Sequence, residues 1–270
     1  MKKFIFPLCI LALSAGFFTS CDDDDDDNND NGSIVINQNL KNLVYSDGQG
    51  GTKFEYDSKG RCVKSYSPRG TSEYTYNGNT ITGTSVTEDW NEVLSGKLNS
   101  NGFFETLTSQ DKISGEVSVE NYTYDKDGHV IKNTYKINSI EDNYAAYFEL
   151  IYVWENGDLV SCTEKSHEEY EGDVYDEERN YSFKYTNDVV TEPIENKACI
   201  PLIQPYLEGL DKYISLRNFV GVAGKHLPVS IVHPEGQELI IDWTFDADGY
   251  PINVSSSIQY SLYSLELTWE

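Results

Sequence analysis

Carboxylates are the groups in this sequence best placed to do chemistry. Glu164, Glu168, Glu169, Glu171, Asp173, Asp176, Glu177 and Glu178 crowd into one stretch with His167 among them. Two such carboxyl groups held about 5–9 Å apart would serve a glycosidase, and a cluster of their oxygens would suit calcium. The tip of a long solvated hairpin has the same composition. A second set, Asp57, Asp125, Asp127, Asp246 and Asp248, recurs at a fixed offset before glycine. That regularity points to turn capping by a side-chain oxygen rather than to catalysis. His129, His167, His226 and His233 have no metal-ligand spacing, and GxSxG, HExxH, P-loop and dinucleotide fingerprints are absent. No catalytic set, metal site or cofactor is therefore expected.

The aromatic residues are the second chemical resource: 20 Tyr, 11 Phe and 4 Trp. Tyr74, Tyr76, Tyr122, Tyr124, Trp154 and Trp243 alternate with polar residues, so one face of a sheet could offer a platform on which sugar rings or an extended peptide stack. The structural explanation is a thin sheet whose tyrosine rings cover apolar surface while their hydroxyls reach water. Alternation alone does not separate the two.

The amino terminus carries an address. Met1-Lys2-Lys3 precedes an apolar stretch from Phe4 to Phe18, and Phe18-Thr19-Ser20-Cys21 ends it with small residues before a thiol. Residues 1–20 read as a secretion signal, too short for a spanning helix and interrupted by Pro7, Ser14 and Gly16. The ending is similar to the lipobox of bacterial lipoproteins, which implies lipid attachment at Cys21; the alternative is an ordinary cleaved signal. Residues 21–32 then form an acidic tether, since six consecutive aspartates repel one another and stay hydrated. Acids directly after the lipidated cysteine also resemble an export signal to the outer face of the outer membrane. The expected location is thus the outer membrane, facing the exterior, with the periplasmic face as alternative.

Removing residues 1–20 leaves 18 basic against 45 acidic residues, a net charge of −27. Nucleic acid and anionic lipid are poor partners for such a surface. Cys62, Cys162 and Cys199 remain besides Cys21, enough for one disulfide at most, so this is no disulfide scaffold.

Repeats organise the rest. FEYDSKGRCVKSY, EYTYNGNTIT, GKLNSNGFFETL, NYTYDKDGHVIKNTY, IYVWENGDLVSC, NYSFKYTNDVV and DWTFDADGYPINV each read as strand, turn, strand. Strands show period-two alternation; turns place Asp or Asn before a glycine free to take positive φ. The anchors Tyr56, Tyr76, Leu98, Tyr124, Trp154, Tyr185 and Phe245 are spaced like successive hairpins, with a long final gap. Within that gap Ile200, Ile203, Leu207, Leu210 and Ile214 follow helical steps. The expectation is one all-β domain over 33–270. It is an antiparallel meander of about seven hairpins, a curved or open-barrel-like sheet, with a short helix near 200–214.

The Tyr56-Asp57-x-x-Gly60-Arg61 string and its variants at Tyr124 and Phe245 look like the YD repeats of large wrapping shells. With YTYNGNTI, LNSNGF, HLPVSI and WTFDADGYP in that order, the chain resembles a family of bacterial secreted lipoproteins catalogued as domain of unknown function 4595. The resemblance implies an all-β lipoprotein at the cell surface and brings no catalytic residues with it. Two functions stay open: a non-enzymatic surface lipoprotein binding a glycan, peptide or partner protein, or a carboxylate-dependent hydrolase or calcium-binding protein.

Overall fold

A computed structural model describes residues 38–45, 50–68, 70–87, 91–139, 144–203, 216–258 and 261–270. The first strands are β1 (Leu40–Tyr45), β2 (Gly50–Tyr56), β3 (Cys62–Ser67), β4 (Gly70–Asn77), β5 (Thr80–Thr87) and β6 (Asn91–Leu98). Then come β7 (Phe104–Asp111), β8 (Val117–Tyr124), β9 (Val130–Ser139), β10 (Tyr144–Glu155), β11 (Asp158–Tyr170) and β12 (Asp173–Lys184). The last group is β13 (Ile194–Glu195), β14 (His226–Leu227), β15 (Ser230–Val232), β16 (Glu238–Phe245), β17 (Pro251–Ile258) and β18 (Ser261–Trp269). Sixteen of these close into one antiparallel barrel; β13 and β14 pair separately. Neighbours in the barrel are neighbours in sequence except at two places. β12 pairs with β15 across the inserted segment, and β1 pairs with β18, Leu43 opposite Leu267.

The closed barrel overturns the open or curved sheet of about seven hairpins. The repeated turns lie at one rim only, joining β2–β3, β4–β5, β6–β7, β8–β9, β10–β11 and β16–β17. Turns at the opposite rim share no motif, and β1 and β18 are joined to β2 and β17 only by such turns, so neither registers as a repeat. The sixth expected hairpin does not form: after β12 the chain leaves the barrel for residues 185–229 before returning as β15. The helix expected near 200–214 falls mostly on residues 204–215, outside the described residues. Ile200–Ile203 are non-helical, and the described residues contain no helix. Residues 1–20, Cys21 and the tether to residue 32 also lie outside the described residues.

Alternation sets the two faces of the wall. In β5, Thr80, Thr82 and Thr84 are exposed whereas Ile81 and Gly83 are buried. Leu43, Phe54, Ile81, Phe104, Val130, Leu150, Tyr181, Ile231, Val254 and Leu265 all turn inward and make one core. Outward positions carry charge instead. Lys64–Glu73, Lys97–Glu105 and Lys132–Glu149 pair across neighbouring strands, and Lys184–Glu238 reaches from β12 over β15 to β16, at 2.5–2.9 Å. In water each such pair adds only a few tenths of a kcal/mol to about 1 kcal/mol. Their placement matters more, because a barrel wall facing lipid carries an apolar band there.

The interior is graded along its axis. Towards the rim with the repeated turns it is apolar: Cys62, Leu98, Phe104, Val130, Tyr152, Leu159 and Phe183. Towards the other rim Asp111, Ser118, Glu120, Asn133 and Ser166 turn inward instead. Residues 185–203 and 216–229 cover the apolar end. Asn218 donates to the Gly60 carbonyl, Val222 N–H to Gly128, and Lys225 N–H to Gly157, so the plug is hydrogen-bonded to one turn after another. Phe219 enters between the rings of Tyr76 and Phe104 at centroid distances of 5.4 and 5.9 Å.

Candidate functional site

At the plugged rim, one local design recurs. Asp57 Oδ1 accepts the N–H groups of Lys59 and Arg61, Asp125 Oδ1 those of Asp127 and His129, and Asp246 Oδ1 those of Asp248 and Tyr250. Asn99 does the same for Asn101 and Phe103. The glycine three residues on lies at positive φ in each: 72° at Gly60, 79° at Gly102, 88° at Gly128 and 84° at Gly249. These acids are occupied by their own backbone. One oxygen or nitrogen from each of Asp125, Asp127 and His129 lies within 4.8 Å of the others. Both Asp125 oxygens already accept turn hydrogen bonds, Oδ2 from the His129 ring at 3.1 Å.

Burial works to raise the Asp57 and Asp125 carboxyls. Hydrogen bonds from Arg61 and Lys59, and from His129 and Asp127, outweigh it and leave both below the usual range. The Ser114 hydroxyl, joined by backbone N–H groups, holds Asp111 low as well. A depressed folded-state pKa contributes stability above the unfolded value, about 3.9 for Asp, and that stability is lost as pH falls through the folded value. The urea midpoint should therefore drop between pH 6 and pH 3, and less steeply in Asp125→Asn.

The aromatic residues preceding these turns have a different task. Strands joined by a turn at the far rim have free ends at this one, and a side-chain donor closes the gap in all pairs but β5–β6, where the Leu98 N–H donates to the Asn79 carbonyl. Tyr56 donates to Leu40 O at 2.7 Å, Tyr124 to Phe104 O at 2.8 Å and Trp154 Nε1 to Val130 O at 2.7 Å. Tyr185 donates to Leu159 O at 2.9 Å, Trp243 Nε1 to Pro228 O at 2.9 Å and Trp269 Nε1 to Pro251 O at 2.6 Å, while Tyr76 bonds Cys62 O. Turn and latch thus alternate around the rim. Burial pushes the hydroxyls of Tyr56, Tyr76, Tyr124 and Tyr185 upward, which keeps them protonated as donors. Trp154→Phe would strand the Val130 carbonyl and should cost about 1–3 kcal/mol in chemical unfolding.

Of the six aromatic residues considered as a platform, Tyr76, Tyr124, Trp154 and Trp243 are therefore rim latches. Tyr122 is buried and bonds Glu120. All six face inward, around the barrel rather than in one row. Tyr74 stands apart: it lines a cavity of about 200 Å³ with Phe54, Ser65, Ser72, Ser85 and Leu94. The cavity sits where the interior passes from apolar to hydroxyl-bearing. Gly83 is required beside it, because a Cβ there would stand 2.9 Å from the Tyr74 ring.

The acidic stretch from Glu164 to Glu178 runs along β11 and β12 beyond the core. His167 meets Asp176 at 2.7 Å and Glu169 at 3.3 Å on the exposed face, and these hydrogen bonds raise its pKa. Burial raises Glu164, which lies inward opposite Arg179. Cys62, Cys162 and Cys199 are all free thiols. Sequence patterning gave no sign of Tyr74 as distinct from Tyr76, because both share one strand face; what separates them is that Tyr74 lines the cavity while Tyr76 latches Cys62. Arg217, buried in the plug, lay outside every repeat and had no signal at all.

The chain matches no protein-family model and no curated protein. Its fold is similar to that of a solved porin-like protein from Bacteroides uniformis, with a TM-score of 0.63 and 17% identity, covering 88% of this chain and 99% of that one. A porin-like protein from Bacteroides vulgatus gives a TM-score of 0.63 at 16% identity, covering 87% and 99%. What these similarities establish is a porin-like barrel architecture.

Proposed function

We propose that this protein is a non-enzymatic, lipid-anchored binding protein of the outer membrane, of the lipoprotein kind its repeats resemble. Its barrel stands in water, and its ligand, a glycan or short peptide, enters the polar half of the interior beside Tyr74. The outward Lys–Glu pairs carry this reading. A wall bearing Lys64–Glu73 and Lys132–Glu149 on its outer surface would have to bring those charges into hydrocarbon if it spanned a bilayer. A lipid on Cys21 supplies membrane attachment without that cost. Hydroxyls of Ser65, Ser72 and Ser85 beside the Tyr74 ring suit a polyhydroxylated ligand, which presents hydrogen-bonding edges and an apolar face.

Cys21→Ser should move the protein from the membrane pellet to the soluble fraction with its barrel folded. Retention in the pellet after the substitution would show that the wall itself is embedded. For the ligand, the full chain applied to a glycan array should bind a sugar that Ser72→Trp, which fills the cavity, no longer retains.

A further inference from the structure

Arg217 is 4% exposed. Its Nη2 donates to the Gln38 carbonyl at 2.7 Å and its guanidinium lies 5.4 Å from the centre of the Trp269 ring. Nη1 is buried and has no hydrogen-bond partner. Among the described residues no carboxylate forms an ion pair with Arg217, whereas buried charges ordinarily hold a partner. Burial lowers its pKa, and the groups working against that are hydroxyls and thiols: Tyr56, Cys199, Tyr250 and Cys62.

The Arg217 side chain lines a cavity of about 530 Å³ within the plug, shared with Asn196, Cys199, Val222, Ala223 and Lys225. That lies within the range of about 300–1,000 Å³ usual for small-molecule sites. Neighbouring side chains cannot satisfy Nη1. The Asn196 amide is committed to Ile200 and to the Gly224 carbonyl, and Lys225 Nζ to the Asn156 carbonyl. In the lining, Arg217 and Lys225 stand against Glu195, which leaves one positive charge to be met. We propose that this cavity binds a small organic monoanion, with its carboxylate on Nη1 of Arg217 and its apolar remainder against Val222 and Ala223. A planar guanidinium matches a carboxylate in shape. A single unmet positive charge matches a monoanion better than doubly charged phosphate. The site is separate from the Tyr74 cavity and does not depend on it.

Calorimetric titration of the detergent-purified full chain with butyrate, inorganic phosphate and butyramide tests the proposal. Butyrate should bind saturably, phosphate more weakly, and butyramide, of similar size without the charge, not detectably. Arg217→Met should weaken butyrate about tenfold or more, the loss expected for a charge-assisted hydrogen bond. That variant also removes the contacts to Gln38 and Trp269. Ala223→Phe therefore provides a second test: it fills the cavity, keeps the guanidinium and should abolish butyrate binding. Equal binding of butyramide, a preference for phosphate, or butyrate affinity unchanged in either variant would overturn the assignment.

Discussion

Gly128→Val should lower the unfolding free energy by about 2–5 kcal/mol, the sum of backbone strain and overpacking. Gly128 has φ of 88°, a region that a β-branched residue avoids. A Cβ there would lie 2.9 Å from Val222 Cγ2 and 3.0 Å from Phe103 Cε2. The same residue's carbonyl accepts the Val222 N–H at 2.9 Å, so a shift of the turn also loosens the plug. Asp125→Asn should cost less than about 1 kcal/mol, since the amide oxygen still accepts the N–H groups of Asp127 and His129. Paired urea titrations at pH 7 measure both. A larger effect from Asp125→Asn than from Gly128→Val would mean that the charge of Asp125, and not the turn geometry, is what the repeat preserves.

The second large effect separates the two faces of the wall using adjacent residues. Ile81→Lys buries an ammonium at a site with no solvent exposure. Its cross-strand neighbours are Tyr76 and Gly96 inside an apolar core, which offers no carboxylate, and the expected cost is about 4 kcal/mol or more, enough to abolish the folded barrel in vitro. Thr82→Lys, one position on, faces outward on an exposed strand and should change stability by about 0.5 kcal/mol or less. In a lipid-facing wall the second substitution would instead cost about 2–4 kcal/mol near mid-bilayer. Circular dichroism and thermal melts of the two variants read the difference directly. A severe Thr82→Lys and a tolerated Ile81→Lys would invert the orientation of the whole barrel.

The hairpins at the plugged rim were legible because one short motif does two jobs there. Tyr124 latches backwards onto Phe104 while Asp125 and Gly128 turn the chain forwards, so backbone geometry fixes residue types at set offsets. At the far rim nothing comparable acts: Ser67–Gly70 and Glu171–Gly172 turn the chain with different residues, so the links between one hairpin and the next carried no signal. Closure was illegible for a different reason. Leu43 opposite Leu267 and Val44 opposite Glu266 form an ordinary antiparallel ladder, and no local pattern states which distant strand completes it. The aromatic alternation was read as strands, but the hydroxyls expected to reach water bond backbone carbonyls instead, because a latch donor and a stacking surface use the same residues, Tyr and Trp. Only the acceptor carbonyl, which has no side-chain signature, tells them apart.

Pairing of β1 with β18 also governs how the molecule is completed. The Asn39 N–H donates to the Glu270 carbonyl at 2.8 Å and Glu270 returns the bond at 2.9 Å, so the seam joins residues separated by nearly the whole described chain. Every other adjacent pair except β12–β15 can zip as the chain emerges, each hairpin onto the one before it, whereas the seam must wait for Trp269. Contacts of such long sequence separation are slow to form. Until they do, the growing sheet has two open edges, β1 and whichever strand came last, each with unpaired backbone groups of the sort that recruit other chains. A chain interrupted before β18 would keep both edges permanently. The last ten residues therefore decide whether this sequence yields a closed cylinder or a sticky, edge-bearing sheet.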